Sequence, residues 1–123
     1  MPPRACEEMR MKLALSLLLL TGMLAHAESP NERLDIALKA YRLAATGYRE
    51  GNVPQELVVT WSLRAWELQK ASGAPNAGAD YVFRMKDLEN VATARAKDGR
   101  ANALEQLNAQ YLRLEAELAA KKK

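Results

Sequence analysis

The sequence predicts an all-α fold of two tandem helical hairpins, on three observations. After Pro30 only two prolines occur, Pro54 and Pro75, and both fall where a helix would begin or a linker would run. No stretch alternates apolar and polar residues with the period of two that a half-buried strand needs. A helix, a glycine turn and a second helix also appear twice. A shift of 48 residues lays Arg49-Glu50-Gly51 on Lys97-Asp98-Gly99, Ala44 on Ala92, Leu43 on Val91, Val59 on Leu107 and Glu67 on Glu115. Such self-similarity marks a repeated supersecondary unit. Two units in tandem predict either an antiparallel four-helix bundle or a pair of extended coiled-coil hairpins.

The first 27 residues read as a signal peptide. Lys12 precedes an apolar run from Leu13 to Leu20, and the stretch closes on Ala25-His26-Ala27 ahead of Glu28. A basic start, a short apolar middle and small residues before the cut are the parts of a secretory leader. The run is too short for a spanning helix, which needs about 20 apolar residues. An uncleaved anchor or a buried helix is the alternative. Met9 and Met11 are alternative starts, and from Met11 the chain reads Met-Lys-Leu-Ala-Leu, a more ordinary leader than Met1-Pro2-Pro3-Arg4. The protein is therefore expected to be exported, to the periplasm or cell envelope of a bacterium or out of the cell.

Removing 27 of 123 residues leaves 96, enough for one small domain. The first helix is expected from about Glu32 to Glu50, with Asn31 as its N-cap after Ser29-Pro30. Leu34, Ala37, Tyr41, Ala44 and Tyr48 follow a 3-4-3-4 spacing, which places them on one face. Gly51 should end this helix in the left-handed conformation that favours glycine. The second helix should start near Pro54, whose missing N–H costs nothing in a first turn. Val58, Trp61, Ala65 and Leu68 make its expected seam, with Leu57 and Trp66 beside it. Hairpin one thus covers about 31–72, and residues 73–78 form a small-residue linker.

Hairpin two covers about 79–120. Asp80 is expected to cap the third helix, whose apolar side carries Val82, Met85, Leu88, Val91 and Ala92, and Gly99 to end it. Asn102 with Glu105 makes a capping-box-like start for the fourth helix. Leu104, Leu107, Tyr111, Leu114 and Leu118 then run 3-4-3-4, the cleanest seam in the chain and its expected core face. A basic tail, Lys121 to Lys123, ends the sequence.

Composition narrows the chemistry. The one histidine, His26, and the one cysteine, Cys6, both leave with the leader. The exported part then lacks the side chains for a Ser–His or Cys–His nucleophile, for haem ligation, or for an ordinary zinc site. No glycine-rich phosphate loop occurs. Paired carboxylates remain, but Glu115 and Glu117 are two apart and point to different sides of a helix. These acids read as solvated surface charge, so no enzyme activity and no cofactor or metal are expected. The leader takes three cations and two anions with it, and the lysine tail outweighs the small positive charge that remains of the formal +3. A near-neutral body with a basic tip does not fit a nucleic-acid binder. Membrane contact is expected at most through the lysine tail, which otherwise reads as a solvated end.

Aromatic side chains offer the remaining candidate site. Trp61 and Trp66 are five apart and cannot share one narrow seam. One of them, with Arg64 or Tyr48, could form a partner-binding patch, since Trp, Tyr and Arg dominate interface energetics. The plain alternative is that both tryptophans are core anchors.

Tyr41-Arg-Leu-Ala-Ala-Thr-Gly-Tyr48-Arg-Glu-Gly51-Asn-Val53, followed by Leu57-Val58, resembles the helix–turn–helix segments of TolC-type outer-membrane efflux factors. Gly99-Arg-Ala101-Asn-Ala-Leu-Glu105-Gln-Leu107 and Tyr111-Leu-Arg-Leu-Glu-Ala-Glu117 repeat the theme. Trp61-Ser62-Leu-Arg64 in the first hairpin, taken with Tyr111 to Glu117 in the second, is also similar to small secreted bacterial proteins of uncharacterised role. The resemblance implies hairpin geometry and an envelope location. It does not extend to a channel, because the chain has no strands of the roughly 9–11 alternating residues that a membrane barrel requires. The functional expectation is a non-enzymatic scaffold or interaction module that packs against a protein partner or a second copy. The alternatives are an accessory of an efflux or secretion assembly, and a small periplasmic chaperone or ligand-binding bundle.

Overall fold

A computed structural model describes residues 30–122. The expected leader lies outside the described residues, as does Lys123. Four helices follow one another: α1 (Pro30–Glu50), α2 (Gln55–Ala71), α3 (Ala77–Lys97) and α4 (Ala103–Lys121). The chain is all-α, two helical hairpins in tandem, and no strand occurs among the described residues. None of the described helices is long and apolar enough to cross a membrane.

Three short connections reverse the chain, and each closes in the same way. Gly51, Gly73 and Gly99 take φ of 84°, 72° and 72°. The residue after each glycine donates its N–H back five residues: Asn52 to the Gly47 carbonyl (2.8 Å), Ala74 to Gln69 (3.0 Å) and Arg100 to Arg95 (2.8 Å). These are Schellman closures, which satisfy carbonyls that a helix end leaves free. In the first and third turns the next residue donates to the same carbonyl, Val53 to Gly47 and Ala101 to Arg95, both at 3.2 Å. The 48-residue repeat therefore extends to individual backbone hydrogen bonds.

Helix starts follow the sequence less closely. α1 already includes Pro30 and Asn31, so Asn31 is a residue of the helix and not its N-cap. α3 begins at Ala77, before the expected cap. Asp80 lies in its first turn, where its carboxylate accepts from Gln69 Nε2 at 3.1 Å. Asn102 does cap α4: its Oδ1 accepts from the Glu105 N–H at 2.8 Å.

The core is built from Ala44, Tyr48, Val58, Trp66, Tyr81, Met85, Leu88 and a set of small residues that includes Ala77, Ala92, Ala109 and Ala116. The expected inner face of α1 is the inner face found: Ala37, Ala44 and Tyr48 are buried and Leu34 and Tyr41 half-buried. α2 is rotated by about one residue from expectation. Its buried line is Gln55, Val58, Ser62, Ala65 and Gln69, while Trp61 and Leu68 are half-exposed and Leu57 is exposed. This line is also a 3-4-3-4 seam, with polar residues every seventh position. Its polar groups find partners inside, which is the condition for burying them at low cost.

α4 departs furthest. Ala109 and Ala116 are fully buried, with Leu112 and Ala119 beside them, whereas Leu104, Leu107, Tyr111, Leu114 and Leu118 are all exposed, Leu104 by 76% and Leu118 by 63%. At 100° per residue the two stripes lie about 150° apart round the helix. The expected core seam of α4 thus faces away from the core. The cause is close packing against α3, whose backbone approaches α4 more than any other helix pair does. At one end of this contact a Cβ on Gly78 would stand 3.1 Å from the Ala120 Cβ. A leucine stripe cannot fit so near a neighbouring backbone; an alanine stripe can.

Candidate functional site

Of the expected patch residues, the structure brings Trp61 and Arg64 together. They are three apart on α2, so they share a face, and the Arg64 guanidinium lies 4.4 Å from the Trp61 ring centroid. The pair lines an open groove of about 480 Å³ between α1 and α2, with Ile36, Leu63 and Leu68 as apolar walls and Arg33 at the rim. Tyr48 and Trp66 do not join them. Tyr48 is 1% exposed and accepts from Gln55 Nε2 at 3.3 Å. Trp66 stacks on Tyr81 with centroids 4.9 Å apart, and so serves as a core anchor. Gly51 and Gly99 sit at the turns, as expected.

Sequence reasoning missed a buried polar network. Arg84 is 5% exposed; its Nε donates to Ser62 Oγ at 2.9 Å and its Nη2 to Gln69 Oε1 at 3.4 Å. Gln69 passes the chain of bonds on to Asp80. The cation also lies 5.7 Å from the Tyr41 ring centroid and 6.0 Å from that of Tyr81. Burial lowers the Arg84 pKa from its ordinary value, offset by the charges around it. Burial likewise pushes the Tyr41 hydroxyl up to about 12, assisted by the nearby Asp87 carboxylate. Tyr48 and Tyr81 shift upward for the same first reason. The signal for this network was the seven-residue spacing of Gln55, Ser62 and Gln69, a polar register inside an apolar face.

A second site was legible as a pattern but assigned to the wrong side. Leu104, Leu107 and Tyr111 of α4 form one wall of an open groove of about 640 Å³, with Pro54 and the first residues of α2, Gln55 and Glu56, opposite. Gln55 fixes this junction by donating to the Glu105 carbonyl at 3.1 Å and accepting from Asn108 Nδ2 at 2.7 Å. From the groove the apolar stripe continues through Leu114 to Leu118 along the outer side of α4. Away from that stripe Arg113 bonds to Glu89 of α3, which fixes α4 on α3, and at 3.0 Å to Glu117 of its own helix. Both acceptors hold the guanidinium protonated more firmly than usual.

No cluster of three or more metal-ligating side chains occurs among the described residues. Both grooves carry apolar walls that a partner could desolvate. Burying a leucine contributes about 1.5–3 kcal/mol, and four leucines and a tyrosine on one straight helix face leave that contribution unused. No protein-family model matches this chain, and neither a curated protein nor a solved structure does.

Proposed function

We propose that this protein is an exported, non-enzymatic helical scaffold of a bacterial cell envelope, which works by packing its outer α4 face against another helix. One observation carries the reading: the most regular heptad stripe of the sequence, Leu104 to Leu118, is exposed. Helix-in-groove recognition reads such i, i+3, i+7 anchors. The composition of the exported part, without histidine or cysteine, supports a binding role over catalysis. The leader pattern supports the location.

Expression of the full chain in a bacterium, with a photo-crosslinking residue at position 107, tests this. A periplasmic product whose mass starts at Glu28, with crosslinks through position 107 and none through exposed Lys86, is the expected result. Absence of any crosslink from position 107 would end the proposal. A second reading is favoured by the matched turns at Gly51 and Gly99, which lie within the two segments that resemble efflux-factor hairpins. On that reading the crosslinked partner is a component of an efflux or secretion assembly.

A further inference from the structure

We infer that the occupant of the α4 face is a second copy of this chain, paired antiparallel across a two-fold axis that passes between Leu112 and Arg113. The inference rests on the packing role proposed above and names its partner.

The area is sufficient. From their fractional exposures the five stripe residues present roughly 500 Å² of mostly apolar surface, near the upper range for one patch on a monomer. Two copies would remove about 1,000 Å², the lower bound for a specific interface.

The stripe is complementary to itself in one direction. With the axis between Leu112 and Arg113, Leu107 lies opposite Leu118 of the second copy and Tyr111 opposite Leu114. Beside the seam, Glu115 faces Asn108 and Glu117 faces Gln110, so no like charges meet. Leu104 lies under the aliphatic stem of Lys121, which can cover apolar surface while its ammonium stays in water.

Charge at the ends favours the same direction. Glu56 and Glu105 line the groove beside Leu104, at the start of α4. An antiparallel mate brings its Lys121 and Lys122 to that acidic rim. A parallel mate would instead set Lys121 against Lys121 on the seam, with Lys122 of both copies at the same end, and like charges so placed repel. This gives the terminal lysines a role that a solvated tail lacks.

Sedimentation equilibrium of the full-length gene's exported product should show a reversible dimer. Leu107→Glu with Leu114→Glu should weaken it on the order of 100-fold or more, because each charge would be buried unpaired. Both positions are exposed in the single chain, so helical content and melting at low concentration should hold, which separates loss of pairing from loss of fold. Direction is read by cysteine crosslinking in a Cys6→Ser background. Mixed Leu107→Cys and Leu118→Cys chains should join to each other. Leu104→Cys alone should not, since the two copies of that residue would lie about 25 Å apart. A monomer at every concentration, a dimer indifferent to the glutamates, or a Leu104→Cys self-crosslink would each overturn the inference. A monomer that still crosslinks to another protein from position 107 would overturn it and leave the packing role standing.

Discussion

The two hairpins share a turn and differ in the pair of residues that the turn brings together. In hairpin one Val53 folds back over Gly47, so closely that a Cβ on Gly47 would clash with the Val53 Cγ2. In hairpin two the equivalent positions are Ala101 and Arg95. The smaller residue after the turn leaves room for a long side chain at position 95. Arg95 uses it to link the halves, donating from Nη1 to the Tyr48 carbonyl at 2.9 Å and from Nη2 to the Arg100 carbonyl at 3.1 Å. Its guanidinium also stacks 4.8 Å from the Tyr48 ring centroid. Large and small have changed places between the repeats, and the exchange makes one turn a self-contained cap and the other a clasp on its neighbour.

The same contrast runs along the helices. Hairpin two is closed by small side chains that bring α3 and α4 into near-backbone contact, whereas α1 and α2 of hairpin one stand further apart and leave the Trp61–Arg64 groove. A duplicated hairpin can thus keep its backbone logic while its faces diverge.

The largest effect should come from cutting the polar link between the hairpins. Arg84→Ala leaves a cavity and strands Ser62 and Gln69, at a cost of about 3–4 kcal/mol. Replacing Arg84, Ser62 and Gln69 together by Met, Ala and Leu should recover most of it, since buried ionic groups are often no better than apolar ones of similar volume. Denaturant unfolding of both variants checks this; an Arg84→Ala loss below about 1 kcal/mol would remove the network as the joint.

High pH should act next, and mainly on hairpin one, which holds two of the three shifted tyrosines. The Tyr41 hydroxyl titrates near 12 in the fold against 10 in the unfolded chain. A raised pKa stabilises the fold below the unfolded value, so stability should be flat up to pH 10 and fall between 10 and 12. The loss from Tyr41 is about 2 kcal/mol, allowing for its partial solvent contact. Melting temperatures from pH 8 to 11.5 should show the fall, and Tyr41→Phe should reduce it.

Overpacking hairpin two ranks third. Ala116→Leu inserts a branched side chain between α3 and α4 and should cost about 1–3 kcal/mol, whereas Leu114→Ala, two residues away on the outer face, should leave dilute-solution stability within about 0.5 kcal/mol. Equal losses would mean that α4 is turned the other way round.

The smallest expected effect, and the most specific, is the exchange at the turns. Gly47→Ala should destabilise by about 1 kcal/mol, because the clash with Val53 exceeds the gain in helix propensity. In a Val53→Ala background the same change should become neutral or stabilising. A double-mutant cycle with no coupling would refute the explanation for the repeat's divergence.

Much of this molecule is fixed by its sequence alone. Glycine with a permissive backbone at positions 51 and 99, Asn102 three residues before Glu105, and a 3-4-3-4 apolar line in α1 determine helices, turns and one core face through local sterics and hydrogen bonding. Trp61 and Arg64 were legible as neighbours for the same reason, being three apart on a helix. What lay beyond local rules was which face of α2 and α4 turns inward. α4 carries two heptad stripes of nearly opposite direction, and periodicity measures an angle without saying which end of it is the core. α2 carries a polar register that becomes an interior one only when Arg84 and Asp80 arrive from another helix. Tertiary structure decided both cases: close backbone packing with α3 selects alanine over leucine, and buried polar groups are stable only where a partner meets them.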